Sequence, residues 1–270
     1  MPRTLVPLSL GKLLDETFNI YRQNFLLFAG ISAIPNIALL LLKFAFAGAI
    51  ASDRTEVGAT VLLAGLGTIF ATIFVSSIVA AATTLGVSDV YLDTPTSIVT
   101  CFSRVGRKSL RVLYVSFIVG VIVGLASLLL VIPGIYVAGV YGIAVPAVVL
   151  ESITGREALS RSSSLTKGSV GRVIVVYFLT TIFTIGMVAV LGAVVGALGS
   201  TAFHGTGIFS REMFDEVLAT LGGILFGPIT AIALTLVYYD QRVRKEAFDI
   251  EHMMSLMAAP GNLASGASAK

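Results

Sequence analysis

From Val112 to Leu150 the chain runs 39 residues without a charged side chain. As one helix this run would be roughly 58 Å long at 1.5 Å per residue, about twice the hydrocarbon thickness of a bilayer. Two crossings joined in the middle fit the length, with a re-entrant loop as the alternative. The expected joint is Pro133-Gly134, because proline cannot continue a helix and glycine accepts the turn conformation. The run ends at Glu151. A polar segment then leads through Gly155-Arg156-Glu157-Ala158-Leu159-Ser160-Arg161-Ser162 to Lys167-Gly168.

The rest of the chain has the same character. Only 12% of its 270 residues are charged, against about 25% in an ordinary soluble domain. With 56% hydrophobic residues and a mean hydropathy of +0.95, its solvent must be mostly lipid. A crossing needs about 20 apolar residues. Phe25–Leu42 carries no charge, and its apolar character continues past Lys43, which would reach the interface from a helix end. Val57–Ser88 is a second run, closed by Asp89 and long enough to tilt or project. Val173–Leu198 and Val217–Tyr239 supply two more. The expected spans are about 25–46, 60–88, 112–132, 135–150, 173–198 and 217–239. The fold class is an all-α polytopic bundle of six transmembrane helices, one domain over residues 1–257, with a disordered tail at 258–270 that is rich in Pro, Gly, Ala and Ser.

Charge placement orients the bundle. With both termini inside, the cytoplasmic pieces hold Arg3, Lys12, Arg22, Arg104, Arg107, Lys108, Arg111, Arg156, Arg161, Lys167, Arg172, Arg242, Arg244, Lys245 and Lys270. Only Lys43, Arg54 and Arg211 fall on the other side, as the positive-inside rule requires. The N-terminus does not read as a cleavable signal, because Asp15 and Glu16 interrupt it before any short apolar core. Instead Leu10, Leu13, Leu14, Phe18 and Tyr21 recur at helical spacing behind Ser9, a good N-cap. This predicts an amphipathic helix over residues 9–23, on the membrane surface or against the bundle. Comparable basic segments at 95–111 and 155–171 precede the later pairs of crossings. Three copies of a surface helix plus a hairpin would explain the pattern; so would the ordinary chemistry of the residues that lead into a span.

Inside the spans, Gly120-x-x-x-Gly124, Gly192-x-x-x-Gly196 and Gly223-x-x-x-Gly227 predict close helix–helix packing. Pro35, Pro146 and Pro228 lie in crossings and are candidate helix breaks together with Pro133 and Gly134; plain kinks are the other reading. No ionisable residue is expected near a span centre, which disfavours proton- or ion-coupled transport. His204 and His252 fall on opposite sides. Cys101 is alone, so no disulfide within the chain is possible. There is no H-E-x-x-H, G-x-S-x-G or G-x-x-x-x-G-K-[ST] motif. Ser164-Leu-Thr-Lys167 matches S-x-x-K, a pattern too short to carry weight. The sequence therefore predicts a protein that is not an enzyme, with no cofactor, no metal and no nucleic-acid partner. The bilayer is its expected partner, through anionic headgroups at the cytoplasmic face, with a membrane protein as a possible second.

Glu151 and Asp240 each close a crossing. They form a candidate cytoplasmic polar cluster with Arg161, Arg242 and Arg244; the alternative is a C-terminal amphipathic helix lying on the headgroups. Asp240–Arg244, Arg242–Glu246 and Lys245–Asp249 are spaced four apart, which predicts that the last helix continues out of the membrane.

These residues also carry a resemblance. Pro133-Gly-Ile-Tyr136, Ala147-Val-Val-Leu-Glu151, Ala158-Leu-Ser-Arg-Ser162 and Leu165-Thr-Lys-Gly168 are similar to bacterial proteins related to the glycerophosphoryl diester phosphodiesterase membrane domain. Tyr238-Tyr-Asp-Gln-Arg-Val-Arg-Lys-Glu-Ala-Phe-Asp249 and Leu10-Gly-Lys-Leu-Leu-Asp-Glu-Thr-Phe18 extend the likeness over about residues 8–252. The resemblance implies a six-helix domain of the bacterial inner membrane. It covers the membrane part only, and phosphodiesterase activity is not carried over with it. The expected role is a non-enzymatic scaffold or accessory module in envelope or phospholipid metabolism, with a carrier or flippase for a lipid or weakly polar solute as the alternative.

Overall fold

The computed structural model describes residues 7–52, 57–199 and 211–246. These are helical nearly throughout, with no strand among the described residues. The helices are α1 (Leu10–Gln23), α2 (Phe25–Ser52), α3 (Val57–Tyr91), α4 (Ile98–Gly106), α5 (Ser109–Leu129), α6 (Val131–Tyr141), α7 (Ala144–Leu150), α8 (Gly155–Thr166), α9 (Val170–Gly199) and α10 (Arg211–Glu246). Six stretches are long and apolar enough to cross a membrane: Phe25–Phe46, Val61–Tyr91, Ser109–Leu129, Val131–Leu150, Val170–Ala197 and Met213–Glu246. The short helices α1, α4 and α8 each precede a hairpin of two such stretches.

A hydroxyl starts each short helix. Ser9, Ser97 and Thr154 accept the backbone N–H of Lys12, Thr100 and Glu157, and so satisfy one of the donors that a helix start leaves open. Thr154 and Glu157 complete a capping box, and the bonds from Thr154 hold the Glu157 carboxyl below its ordinary pKa. Each short helix also sinks a few residues into the bundle: Leu13, Thr17 and Ile20 in α1, Cys101 and Val105 in α4, and Ala158, Ser162 and Leu165 in α8.

Packing is unequal along the bundle. The core gathers Phe28 and Ile31 from the start of α2, Ala81–Tyr91 from the end of α3 and Val112 and Val115 from the start of α5. All of α7's inner residues join it, with Val173, Val176 and Ile232–Val243. These all lie at the end where the short helices sit, called here the polar end. At the far end Leu62, Leu63, Leu128, Leu129, Val131 and Ile132 stand exposed, as side chains that meet lipid do. Helices α10, α3, α5, α6 and α9 touch one another in turn around a ring, and α7 packs against α3, α5, α8 and α10 at the polar end.

The middle hairpin departs from expectation. The chain reverses at Leu130, which is extended (φ −159°, ψ 142°), and not at Pro133-Gly134. Pro133 sits in the first turn of α6, where its missing N–H would have had no helical acceptor. Gly134 serves a different purpose from a turn. A Cβ there would lie 2.8 Å from the Ser127 Cα, so glycine is what lets α6 run against α5. Gly139 likewise admits Ile174 of α9.

The prolines divide. The fourth crossing is interrupted at Gly142-Ile143, and Pro146 falls in the first turn of α7. Pro35 and Pro228 do not break their helices; α2 and α10 run on through them. Neighbouring side chains engage the backbone there. The Asn36 amide donates to the Ser32 carbonyl (2.8 Å). Around Pro228, the hydroxyls of Ser32 and Thr184 donate to the carbonyls of Gly223 and Phe226 at 3.4 Å each, and Tyr21 donates to Leu225. The paired glycines depart from expectation too. A Cβ at Gly120, Gly124, Gly192, Gly196, Gly223 or Gly227 would meet nothing within 4 Å, so none of these pairs brings two helices of this chain together.

Replacement of Gly134 by alanine is expected to cost about 1–3 kcal/mol through overpacking on Ser127. Gly120→Ala, with open space around it, should leave the melting temperature in detergent unchanged or raise it, since alanine is the better helix former. Equal effects at both positions would contradict this account of the middle hairpin.

Candidate functional site

A helix normally buries one face. At the polar end α10 buries four consecutive residues, Tyr238, Tyr239, Asp240 and Gln241, none more than 4% exposed. Successive residues project about 100° apart, so their side chains leave the helix in different directions. Each polar tip then needs its own partner, because an unpaired polar atom at such a place costs about 1–3 kcal/mol.

Each has one. The Tyr238 hydroxyl donates to Glu151 Oε1 at the end of α7 (2.6 Å). Tyr239 and Ser88 of α3 share a hydrogen bond of 2.8 Å. The Ser169 hydroxyl, just before α9, donates to Gln241 Oε1 (2.7 Å). Asp240 accepts the backbone N–H of Leu8 (2.8 Å) and the Arg244 Nε (2.9 and 3.1 Å). Arg172 Nε lies 3.1 Å from Asp240 Oδ2 as an ion pair without hydrogen-bond geometry. The Leu8 carbonyl in turn accepts from Arg172 and, at 2.7 Å, from Arg244. One turn of α10 thus holds all three hairpins and the start of α1.

Carboxylates close each returning crossing, and each is held by arginine. Arg104 of α4 donates to both oxygens of Asp89 (2.9 and 2.7 Å). Arg161 of α8 donates through Nε to both oxygens of Glu151 (2.8 and 2.9 Å). Its other edge takes Glu246 at the end of α10, through Nη1 and through Nη2 (2.7 Å). The planar guanidinium suits this double role, which a lysine could not fill. Those two carboxylates push the Arg161 pKa up despite partial burial, so the charge is permanent. Arg242 pairs with Glu246 (3.3 Å) and lies 5.9 Å from the Tyr238 ring centroid, within cation–π range.

Lysines and Arg111 bind helix ends. Lys108 Nζ donates to the Val149 carbonyl (2.6 Å), Lys245 Nζ to the carbonyls of Ser164 and Lys167 (3.0 and 2.6 Å), and Arg111 to that of Ser152 (3.0 Å). Cations suit the last turn of a helix, where carbonyls are left open. Burial, then the nearby Arg104 and Arg111, lower the Lys108 pKa. Cys101 is fully buried beside Thr96, and burial pushes its thiol pKa up, away from a reactive thiolate.

The five residues expected as one cluster therefore fall into two. Glu151, Arg161 and Arg242 meet around Glu246 and Tyr238, while Asp240 and Arg244 meet around Arg172 and Leu8. Two of the three i,i+4 pairs are formed; the third, with Asp249, lies outside the described residues. So do His204, His252 and residues 258–270. The Asp89–Arg104 pair and the roles of Arg172, Tyr238 and Tyr239 went unread in the sequence. One signal was available, since Asp89, Glu151 and Asp240 each follow a long uncharged run. No group of three or more His, Cys, Asp or Glu among the described residues could hold a metal ion. The arrangement fixes helix ends against one another; every carboxylate in it already has a cationic partner. No family model, no curated protein and no solved structure matches the chain.

Asp240→Asn leaves Arg172 and the more exposed Arg244 facing a neutral amide. Solvent reaches both arginines, so the loss should be about 1–3 kcal/mol, below that of a fully buried pair, and should appear as a lower melting temperature in detergent. In a double-mutant cycle, Glu151→Gln and Arg161→Gln should couple by about 1–3 kcal/mol. Additive losses would show that the pair is idle.

Proposed function

We propose that the chain is a non-enzymatic membrane scaffold or accessory module that serves envelope or phospholipid metabolism in the bacterial inner membrane. In this reading both termini and the polar end face the cytoplasm, and α1, α4 and α8 are amphipathic helices at the headgroup layer. The observation that carries it is the saturation of the hub: Asp89, Glu151, Asp240 and Glu246 are all ion-paired. Such a site holds a shape. A reaction centre would keep a nucleophile, a base or a donor available.

Exposed cations support a lipid-facing role for the same end. Lys12, Arg22, Arg107, Arg156 and Lys167 are exposed and have no ion-pair partner among the described residues. In the cytoplasmic leaflet each contributes on the order of 1 kcal/mol of attraction to anionic headgroups. The resemblance to the glycerophosphoryl diester phosphodiesterase membrane domain supports the bacterial setting and the link to phospholipids. A carrier or flippase is the second reading. It draws on the interrupted fourth crossing at Gly142-Ile143, since discontinuous helices flank sites in transporters.

Orientation is open to direct test. On a Cys101→Ser background, cysteines placed at Arg107 and Arg156 should resist a membrane-impermeant thiol reagent in intact cells and react after permeabilisation. A cysteine at Leu130 should react in intact cells. The reverse pattern would remove the cytoplasmic assignment. Replacing the five exposed cations with glutamine should cut retention of anionic phospholipid on the purified protein several-fold, read by native mass spectrometry.

A further inference from the structure

At the polar end, a cleft of about 420 Å³ opens between the α1–α2 corner and the segment linking α3 to α4. Leu27 and Val90 form its apolar walls, and Gln23, Asn24, Asp93, Thr94 and Thr96 its polar lining. Asn24 immediately precedes the first crossing and Asp93 follows the second by two residues, which puts the cleft at headgroup depth.

The hydrogen-bonding state of that lining selects its ligand. The Thr94 hydroxyl donates to the Asp89 carbonyl (3.0 Å), and the Thr96 hydroxyl is engaged with Cys101 Sγ (3.4 Å). Gln23 Nε2 donates to Asn19 Oδ1 (2.9 Å) and Asn24 Nδ2 to the Ile20 carbonyl (3.1 Å). Three acceptors have no donor among the described residues: Gln23 Oε1, Asn24 Oδ1 and the Asp93 carboxylate. Asp93 contrasts with Asp89, Glu151 and Asp240, which are all clamped by arginine. It is held out of α3 in the left-handed region (φ 53°). Three acceptors, one of them anionic, match a primary ammonium, which carries one positive charge and three N–H donors. A quaternary ammonium has no such donor.

We infer that this cleft binds the primary-ammonium headgroup of an aminophospholipid, with ethanolamine as the type case. The ammonium bonds Asp93, Gln23 and Asn24, and the lipid's apolar part runs down past Leu27 and Val90. This deepens the phospholipid-linked role proposed above and rests on its placement of the polar end at the headgroups.

Native mass spectrometry of the full chain from bilayers containing phosphatidylethanolamine, phosphatidylcholine and phosphatidylglycerol tests it. The wild type should retain phosphatidylethanolamine about tenfold over phosphatidylcholine, equivalent to ~1.4 kcal/mol. Asp93→Asn should bring that ratio to near parity. Asparagine tolerates the left-handed conformation, so the loop survives the change, and an unchanged melting temperature checks it. Gln23→Ala should lower the ratio by a smaller factor. Free phosphoethanolamine that displaces the lipid would identify a soluble amine as a competent ligand; lipid retained against it would assign the membrane source. An equal ratio in the wild type, an unchanged ratio in Asp93→Asn, or displacement by phosphocholine to the same extent would overturn the inference. Phosphatidylglycerol adducts in the same spectra report separately on the basic face. Their loss from the five-cation variant with no ethanolamine preference in the wild type would sink the cleft and leave the proposed function standing.

Discussion

The constraint on which the structure depends is the burial of Tyr238, Tyr239, Asp240 and Gln241 on one turn of α10. A helix buried on every side at that level cannot leave a polar tip without a partner, and the four tips reach four different segments. Each bond is ordinary in strength, on the order of 1 kcal/mol net. Their effect comes from position: they tie residues 151, 88, 240 with 8, and 169 to a single rigid element. Where lipid surrounds the bundle, the hydrophobic effect gives little reason for hairpins to associate. The polar end supplies that reason; the far end, where Lys43 of α2 pairs with Glu216 of α10 (2.6 Å), leaves many of its large apolar side chains exposed.

Arginine carries this economy of charge. Arg161 satisfies two carboxylates from α7 and α10 through the two edges of one plane, so the exits of the fourth and sixth crossings are held at one separation. Asp240 stands between Arg172 and Arg244 and accepts an amide from Leu8, a residue more than two hundred positions away. Removing the arginines would strand the fully buried Asp240 carboxylate, which is why the hub is better described as a lock on geometry than as a source of stability.

Much of the architecture was legible because a bilayer asks for long uncharged runs and the chain contains them. The first short helix was legible from apolar residues at helical spacing and from Ser9, and basic segments before the later pairs of crossings marked where α4 and α8 lie. Local rules failed where a residue has more than one use. Pro133 and Gly134 look like a turn, but proline suits the first turn of a helix equally well, and Gly134 is needed for the approach of Ser127. The paired glycines look like packing faces, yet a Cβ at any of them would meet nothing within 4 Å among the described residues. Pro35 and Pro228 look like breaks, yet neighbouring hydroxyls and an amide engage the backbone around them. For Gly134 and Pro228 the engaged atoms belong to other helices.

By itself, the sequence determined the solvent, the number of crossings and their approximate limits, because transfer of charge into lipid is costly at every position regardless of fold. It also placed an acid at the end of each returning crossing. Tertiary structure alone decided that Tyr238 meets Glu151 and Asp240 meets Arg172 and Leu8, that the middle hairpin turns at Leu130, and that Asp93, with no ion-pair partner among the described residues, lines one cleft with Gln23 and Asn24. Those outcomes depend on distances between residues far apart in the chain, which the spacing of residues along it does not encode.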